Sequence, residues 1–185
     1  METAREAMLR RLLMGMTLLT RTRSLATGTL GEAFRDVLKM AARTLEVQRA
    51  SLWFFDPQQS FIQCACLYDE AADGFTQGQV IVGQDCPAYF QELQRGRVVA
   101  AEDACMDPRT QEFRSVYLEP MGISSMLDVP VKRGDHLVGV VCHEHVGPSR
   151  TWLEEEVQFA AFVSSLISLV LDFHGRLAAE GKRVP

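Results

Sequence analysis

Four chemically capable side chains stand in a row at Cys142-His143-Glu144-His145, within the stretch LVGVVCHEHVGPSRTW that runs from Leu137 to Trp152. Such residue types hold transition metals, or act as nucleophile, base and acid. What they can do together depends on the backbone that carries them. Leu137 to Val141 reads as a buried strand, and side chains on a strand alternate between its two faces. His143 and His145 then share a face with Val141, while Cys142 and Glu144 share the other. Two histidines two residues apart can ligate one metal, but a third ligand is needed and no neighbour is an obvious one. His143 is thus open to three readings: a hydrogen-bonder in a pocket, a satisfied structural histidine, or a metal ligand. Cys142 reads as a small buried hydrophobe facing the helices. No Ser-His-Asp arrangement, phosphate-cradling Gly-Lys loop or acid-base carboxylate pair is evident. Arg109 and Arg114 have the charge to hold an anion.

The chain that positions these residues has 185 residues, 47% hydrophobic and 23% charged, with a net charge of −5. That is the profile of an ordinary globular domain, and its acidity argues against nucleic acid as the main partner. The five cysteines are irregularly spaced, with no secretory signal and no Cys-x-x-Cys pattern, so reduced thiols in a cytoplasmic protein are expected. Cys64 and Cys66 are expected on one strand face, a poor geometry for a disulfide. The apolar run near the N-terminus is too short to span a bilayer. Its Met8, Leu9, Leu12, Leu13, Met16 and Leu19 recur at helical spacing, which predicts an amphipathic partner-packing helix from about Thr3 to Thr20.

A second helix is expected from Thr29 to Leu45, with Phe34, Val37, Leu38, Ala41 and Leu45 as its stripe. A hairpin of ASLWFFD (Ala50–Asp56) and SFIQCACLY (Ser60–Tyr68) follows. Asp69 to Asp85 reads as a long loop, the kind that often carries function. A short helix starts at Pro87, a strand covers Arg97–Ala101, and Asp107-Pro108 opens a helix to Leu118. Ile123–Lys132 and Leu137–Val146 form a second hairpin. A long helix runs from Thr151 to Leu177, with Thr151 and Glu154 as its capping box and Glu154-Glu155-Glu156 as a solvated start. The order predicts an α+β domain with an antiparallel sheet.

Several of these segments, in this order, resemble a GAF domain, the sensory module of histidine kinases, diguanylate cyclases and phytochromes. They are ASLWFFD, GRVVAAED (Gly96–Asp103), GISSMLDVPV (Gly122–Val131) and VGVVCHEHVGPSRTWLEEEVQFA (Val138–Ala160). The resemblance covers Leu30 to Asp172. It implies a six-stranded antiparallel sheet, terminal helices on one face, and short helices and loops over a ligand cavity on the other. It divides the chain into an N-terminal signalling and dimerisation helix (1–27), the GAF domain (28–177) and a fraying tail (178–185).

The function implied is non-catalytic: the domain binds a small molecule and relays its state through the terminal helices, as a homodimer, to an effector. By the same analogy the face carrying Ser125, Leu127 and Val129 looks toward the cavity and Asp128 looks away. His143 fits a histidine that lies near the chromophore in bilin-binding members. The ligand-binding set implied is Tyr89, Phe90, Phe113, Tyr117, Met121, Ser125, Leu127, His143 and His145. No catalytic residue, metal or membrane span is expected, and the cofactor is unknown. The chain contains no Asn, so the family's Asn-Lys cyclic-nucleotide motif is absent. Phe113-Arg114 falls where bilin-binding members carry a Cys-His pair. Two alternatives remain: a dimerisation module with a filled pocket, and a methionine-sulfoxide reductase using Cys86 and Cys105.

Overall fold

The computed structural model describes residues 3–181. Helix α1 (Ala4–Thr20) and helix α3 (Leu30–Leu45) each begin with a reciprocal capping box, Thr3 with Glu6 and Thr29 with Glu32. Each threonine hydroxyl accepts from the glutamate N–H, and each carboxylate returns the bond to the cap, so two exposed donors are satisfied at each helix start. A single turn, α2 (Ser24–Thr27), joins them. The expected stripe of α3 is buried in full. Gly15 lets α1 approach α3 closely, since a Cβ there would lie 2.5 Å from the Thr44 side chain.

Seven strands form one antiparallel sheet: β1 (Arg49–Phe55), β2 (Phe61–Asp69), β3 (Gly74–Thr76), β4 (Val80–Val82), β5 (Val99–Ala101), β6 (Ile123–Arg133) and β7 (His136–Val146). The order is β3-β2-β1-β7-β6-β5, and β4 pairs with the other half of β2's free edge. The expected loop from Asp69 to Asp85 thus contains two short strands. Helices α3 and α6 (Glu154–Ala179) cover one face, with α1 packed against both and Leu38, Leu45, Leu52, Val141, Phe159 and Ile167 in the core between. The other face is covered by α4 (Pro87–Gln94) and the chain that follows β5, over a second core containing Trp53, Tyr89, Phe113 and Cys142.

Three local expectations are corrected. Ala65 is an extra residue in β2, because Leu52 pairs with Cys66 while Trp53 pairs with Cys64. This bulge turns Cys64 toward the second core and Cys66 toward the helices, so the two thiols do not share a face. The helix expected from Asp107 is replaced by a 3-10 turn (Gln111–Phe113), a π turn (Arg114–Leu118) and the short α5 (Glu119–Met121). Asp107 closes a turn on the Arg109 N–H at 2.9 Å, and Pro120 has no N–H to return to the Val116 carbonyl. Helix α6 starts three residues later than expected, after Leu153, whose N–H donates to Glu156 rather than Thr151 capping Glu154.

Glu156 is also not solvated. It is buried, and Arg150 donates to its carboxylate. Of the tail, Ala178 and Ala179 complete α6, and 182–185 lie outside the described residues. Helix α6 is long and apolar enough to cross a membrane by length and composition, with a mean hydropathy of 1.5 over its most apolar window. One side of it, through Phe159, Val163, Ile167 and Val170, is packed in the core.

Candidate functional site

The cavity lies between the sheet and its covering segments, with a volume of about 310 Å³. That is at the small end of ligand pockets, which span roughly 300–1,000 Å³. Strand β1 contributes Arg49 and Trp53, and β4 contributes Val80–Val82 as one wall. The covering chain contributes Glu112 and Phe113 from the 3-10 turn and Val116 and Tyr117 from the π turn. Arg49 and Trp53 face the same way because they stand four positions apart on a period-two strand. The π turn has one residue more per hydrogen-bonded loop than an α-helix, and such turns frequently occur at functional sites. Deeper in, Trp53, Tyr89, Phe113, Met126 and Cys142 close around a void of only about 10 Å³, room for one water at most.

A buried ionic group forms the cavity floor. Arg49 Nε donates to Glu144 at 2.9 Å, Nη1 donates to Asp69, and Nη2 donates to the Tyr117 hydroxyl at 3.3 Å. Tyr117 in turn donates to Glu144, 2.8 Å from one carboxylate oxygen and 3.0 Å from the other. Glu144 is 2% exposed; burial raises its pKa, and the hydrogen bonds and charge that Arg49 and Tyr117 supply act against that by favouring the carboxylate. The group spans β1, β2, β7 and the π turn, and it couples the cavity's cover to its floor.

Next to it, Tyr89 donates to Asp128 at 2.6 Å. Asp128 is fully buried and its Oδ1 has no hydrogen-bond partner among the described residues. Burial pushes its carboxyl up to about 8, so it holds a proton well into the neutral range. On the opposite face, His143 Nδ1 lies 2.9 Å from the Leu127 carbonyl, to which it donates as a neutral ring. Burial lowers its pKa to about 4.

These two groups give opposite pH dependences. The folded His143 takes up its proton near 4 and the unfolded one near 6.5, so its contribution to stability is lost as pH falls through that window. Asp128 binds its proton more tightly when folded, so its contribution is lost as pH rises from about 4 to about 8. Urea unfolding should therefore show Asp128→Asn losing more stability than His143→Gln between pH 6.5 and 4.5. The two slopes should differ by roughly 1–3 kcal/mol per pH unit, from about 1.4 kcal/mol per proton per unit.

The structure separates the nine residues expected at the ligand. Phe113 and Tyr117 line the cavity, and Tyr89 lines the small void behind it. Phe90 is buried beneath them, edge-on to Phe55 at 5.6 Å. Met121 is 47% exposed and lines neither space. Ser125, Leu127, His143 and His145 belong to the helix side of the sheet. Leu127 is in the helix-side core, and Ser125 donates to the Glu102 carbonyl at 2.7 Å. The alternation along β6 and β7 was right, but the face was inverted: Met126, Asp128, Cys142 and Glu144 look toward the covering segments. Both faces of these central strands are buried and apolar, so hydrophobicity alone does not reveal which one the long helices take.

Arg49, Trp53, Gln79, Asp85, Glu112 and Glu144 are among the lining residues that the sequence reading missed. A cation opening a buried strand was the available signal for Arg49, because such a charge requires a buried partner. Arg109 and Arg114 are already paired, with Asp107 and Glu119 respectively. No group of three or more His, Cys, Asp or Glu side chains among the described residues is arranged to hold a metal ion.

A comparison with protein-family models matches residues 29–171 to the GAF domain. The chain belongs to the GAF family. Its fold is shared with solved GAF domains. The GAF domain of a phosphoenolpyruvate-protein phosphotransferase (ptsP) from Coxiella burnetii superposes with a TM-score of 0.70 at 16% identity, over 94% of this chain and 98% of that one. The corresponding GAF domain from Acinetobacter gives 0.63 at 15% identity, over 97% and 99%. The phycoerythrobilin-bound GAF domain of a cyanobacterial phytochrome gives 0.65 at 18% identity, over 92% and 95%. No match was found among curated proteins. GAF domains are in general regulatory modules that bind small molecules. In this GAF domain Phe113 and Arg114 offer no thiol for a covalent bilin, and the His143 ring is on the far side of the sheet from the cavity.

Proposed function

We propose that this GAF domain is a non-catalytic, cytoplasmic sensor. It binds a small molecule in the cavity under Tyr117 and passes its state through α1 and α6 to an effector such as a histidine kinase or diguanylate cyclase. The observation that carries this reading is the Tyr117–Glu144–Arg49 group, which ties the cavity's π-turn cover to β7, the strand that leads into the output helix. From β7 the chain turns at Gly147-Pro148 into Arg150-Thr151-Trp152. Arg150 donates to the Leu45 carbonyl at the end of α3, its guanidinium lies 4.6 Å from the Trp152 ring centroid, and its backbone N–H donates to Ser125. A ligand that prefers one position of Tyr117 biases the position of β7's end and hence of α6.

A second copy would cover the outer surface of the terminal helices. Leu13, Met14 and Leu18 of α1 are 64%, 59% and 46% exposed, and Leu169 of α6 is 62% exposed. Exposed apolar residues of this size on neighbouring helices favour burial in a dimer bundle. Native mass spectrometry of freshly purified protein tests both halves of the proposal. A dimer is expected, converted to monomer by Leu13→Lys/Leu18→Lys; a wild-type monomer at high micromolar concentration would remove the helix-bundle route.

The filled inner void favours, in part, the alternative of a dimerisation module with a degenerate pocket. The open space under Tyr117 is what that alternative leaves unexplained. The thiol-reductase reading has less support: Cys86 lines the cavity and Cys105 does not. Burial also pushes the Cys86 thiol up to about 12, away from the reactive thiolate.

A further inference from the structure

The cavity carries more negative than positive charge. Arg49 is the single cation among the described residues that line it, and its guanidinium is already held by two carboxylates, Glu144 and Asp69. Two more carboxylates, Asp85 and Glu112, stand at the mouth. Asp85 is exposed and has no ionic or hydrogen-bonding side-chain partner among the described residues. Glu112 accepts from the Ala88 N–H at 3.2 Å and has no ion-pair partner among the described residues. Most of the remaining wall is aromatic and aliphatic, including Trp53, Phe113, Tyr117, Val116 and Leu67; its polar members are already engaged, the Gln79 amide donating to Thr76 at 3.2 Å and the Cys86 thiol to the Val82 carbonyl at 3.4 Å. Aromatic faces attract cations and tolerate apolar bodies, but they offer nothing to an anion.

We propose that the cavity selects a cationic ligand with an apolar or aromatic body, that is, a small organic amine. Its body packs between Trp53 and the Phe113/Tyr117 wall, and its ammonium group stays at the mouth between Asp85 and Glu112. This assignment rests on the reading of the cavity as the sensory ligand site and gives that ligand a chemical class. An anionic ligand of the same size meets a different balance. It finds one guanidinium whose charge is already more than matched, and two carboxylates at the entrance. The chain's net charge of −5 acts in the same direction, drawing cations toward the domain and repelling anions. Asp85 is exposed and Glu112 half-buried, so each is screened, and the two carboxylates together are enough for a preference of about tenfold.

Three probes of nearly equal shape separate charge from fit: phenethylamine, phenethyl alcohol and hydrocinnamate. They are titrated into the full chain and followed by calorimetry, and into its Trp152→Phe variant, where the fluorescence reports Trp53 alone. The expected order is amine tightest, alcohol about tenfold weaker, and carboxylate weakest. An Asp85→Asn/Glu112→Gln variant should reduce the amine to the level of the alcohol and leave the alcohol unchanged. Hydrocinnamate binding as tightly as the amine, or an amine preference that survives in the double variant, would overturn the assignment while leaving a ligand-binding cavity and the sensory reading in place. If none of the three binds at millimolar concentration, the cavity is not a small-molecule site, and the sensory reading falls with the assignment.

Discussion

Glu144→Ala should lower the unfolding free energy by about 3–5 kcal/mol, because it leaves the Arg49 guanidinium buried opposite an empty space. Arg49 is 9% exposed, and its remaining carboxylate partner, Asp69, lies toward the surface. Tyr117 would lose its acceptor in the same substitution, freeing the π turn. Urea unfolding measures the loss. The double variant Arg49→Met/Glu144→Leu removes both charges together and should recover most of it, since apolar residues of similar volume commonly replace a buried pair at little cost. A Glu144→Ala protein as stable as wild type would mean that the ionic group does not hold the cavity floor.

Gly139→Ala should cost at least about 3 kcal/mol and is the single methyl group with the largest expected effect. An added Cβ would lie 2.1 Å from the Trp53 carbonyl oxygen, inside the β1–β7 pair, where Phe54 stands opposite Gly139. Neither strand can yield without breaking the ladder that places Trp53 and Arg49 in the cavity. Gly31→Ala is the control. That position is in α3 with open space around it, so alanine should raise stability by about 0.5–1 kcal/mol. The same denaturation experiment compares the two.

Much of the architecture was legible because local signals agreed with one another. The stripe of Phe34, Val37, Leu38, Ala41 and Leu45 marked the buried side of α3 and its extent from about Thr29. The order of hairpins and helices, with the Gly-Pro turn and Arg150-Thr151-Trp152, carried the family. The site was less legible. The alternation at Cys142-His143-Glu144-His145 separated the row into two faces, but it could not say which face met the cavity. The answer depends on where α3 and α6 pack, which is tertiary information. The bulge at Ala65 left no mark in a strand whose two faces are both apolar. The short strand β4 was concealed in a Gly- and Gln-containing segment, and it forms a wall of the cavity. Arg49 and Glu144 are 95 residues apart, and only the β1–β7 pairing brings them together.

The chain places one tryptophan at each end of the proposed relay. Trp53 lines the cavity and donates through its indole N–H to Ser51 at 2.8 Å; Trp152 is in the turn before α6 and donates to the Ala101 carbonyl at 3.2 Å. The two indole N–H resonances in a nitrogen-proton correlation spectrum therefore report cavity and output separately, with assignment by Trp152→Phe. Titration with phenethylamine should move both resonances along curves with one dissociation constant. A shift at Trp53 with Trp152 unmoved would contradict the relay from cavity to helix, and no shift at either would contradict binding of the amine in the cavity.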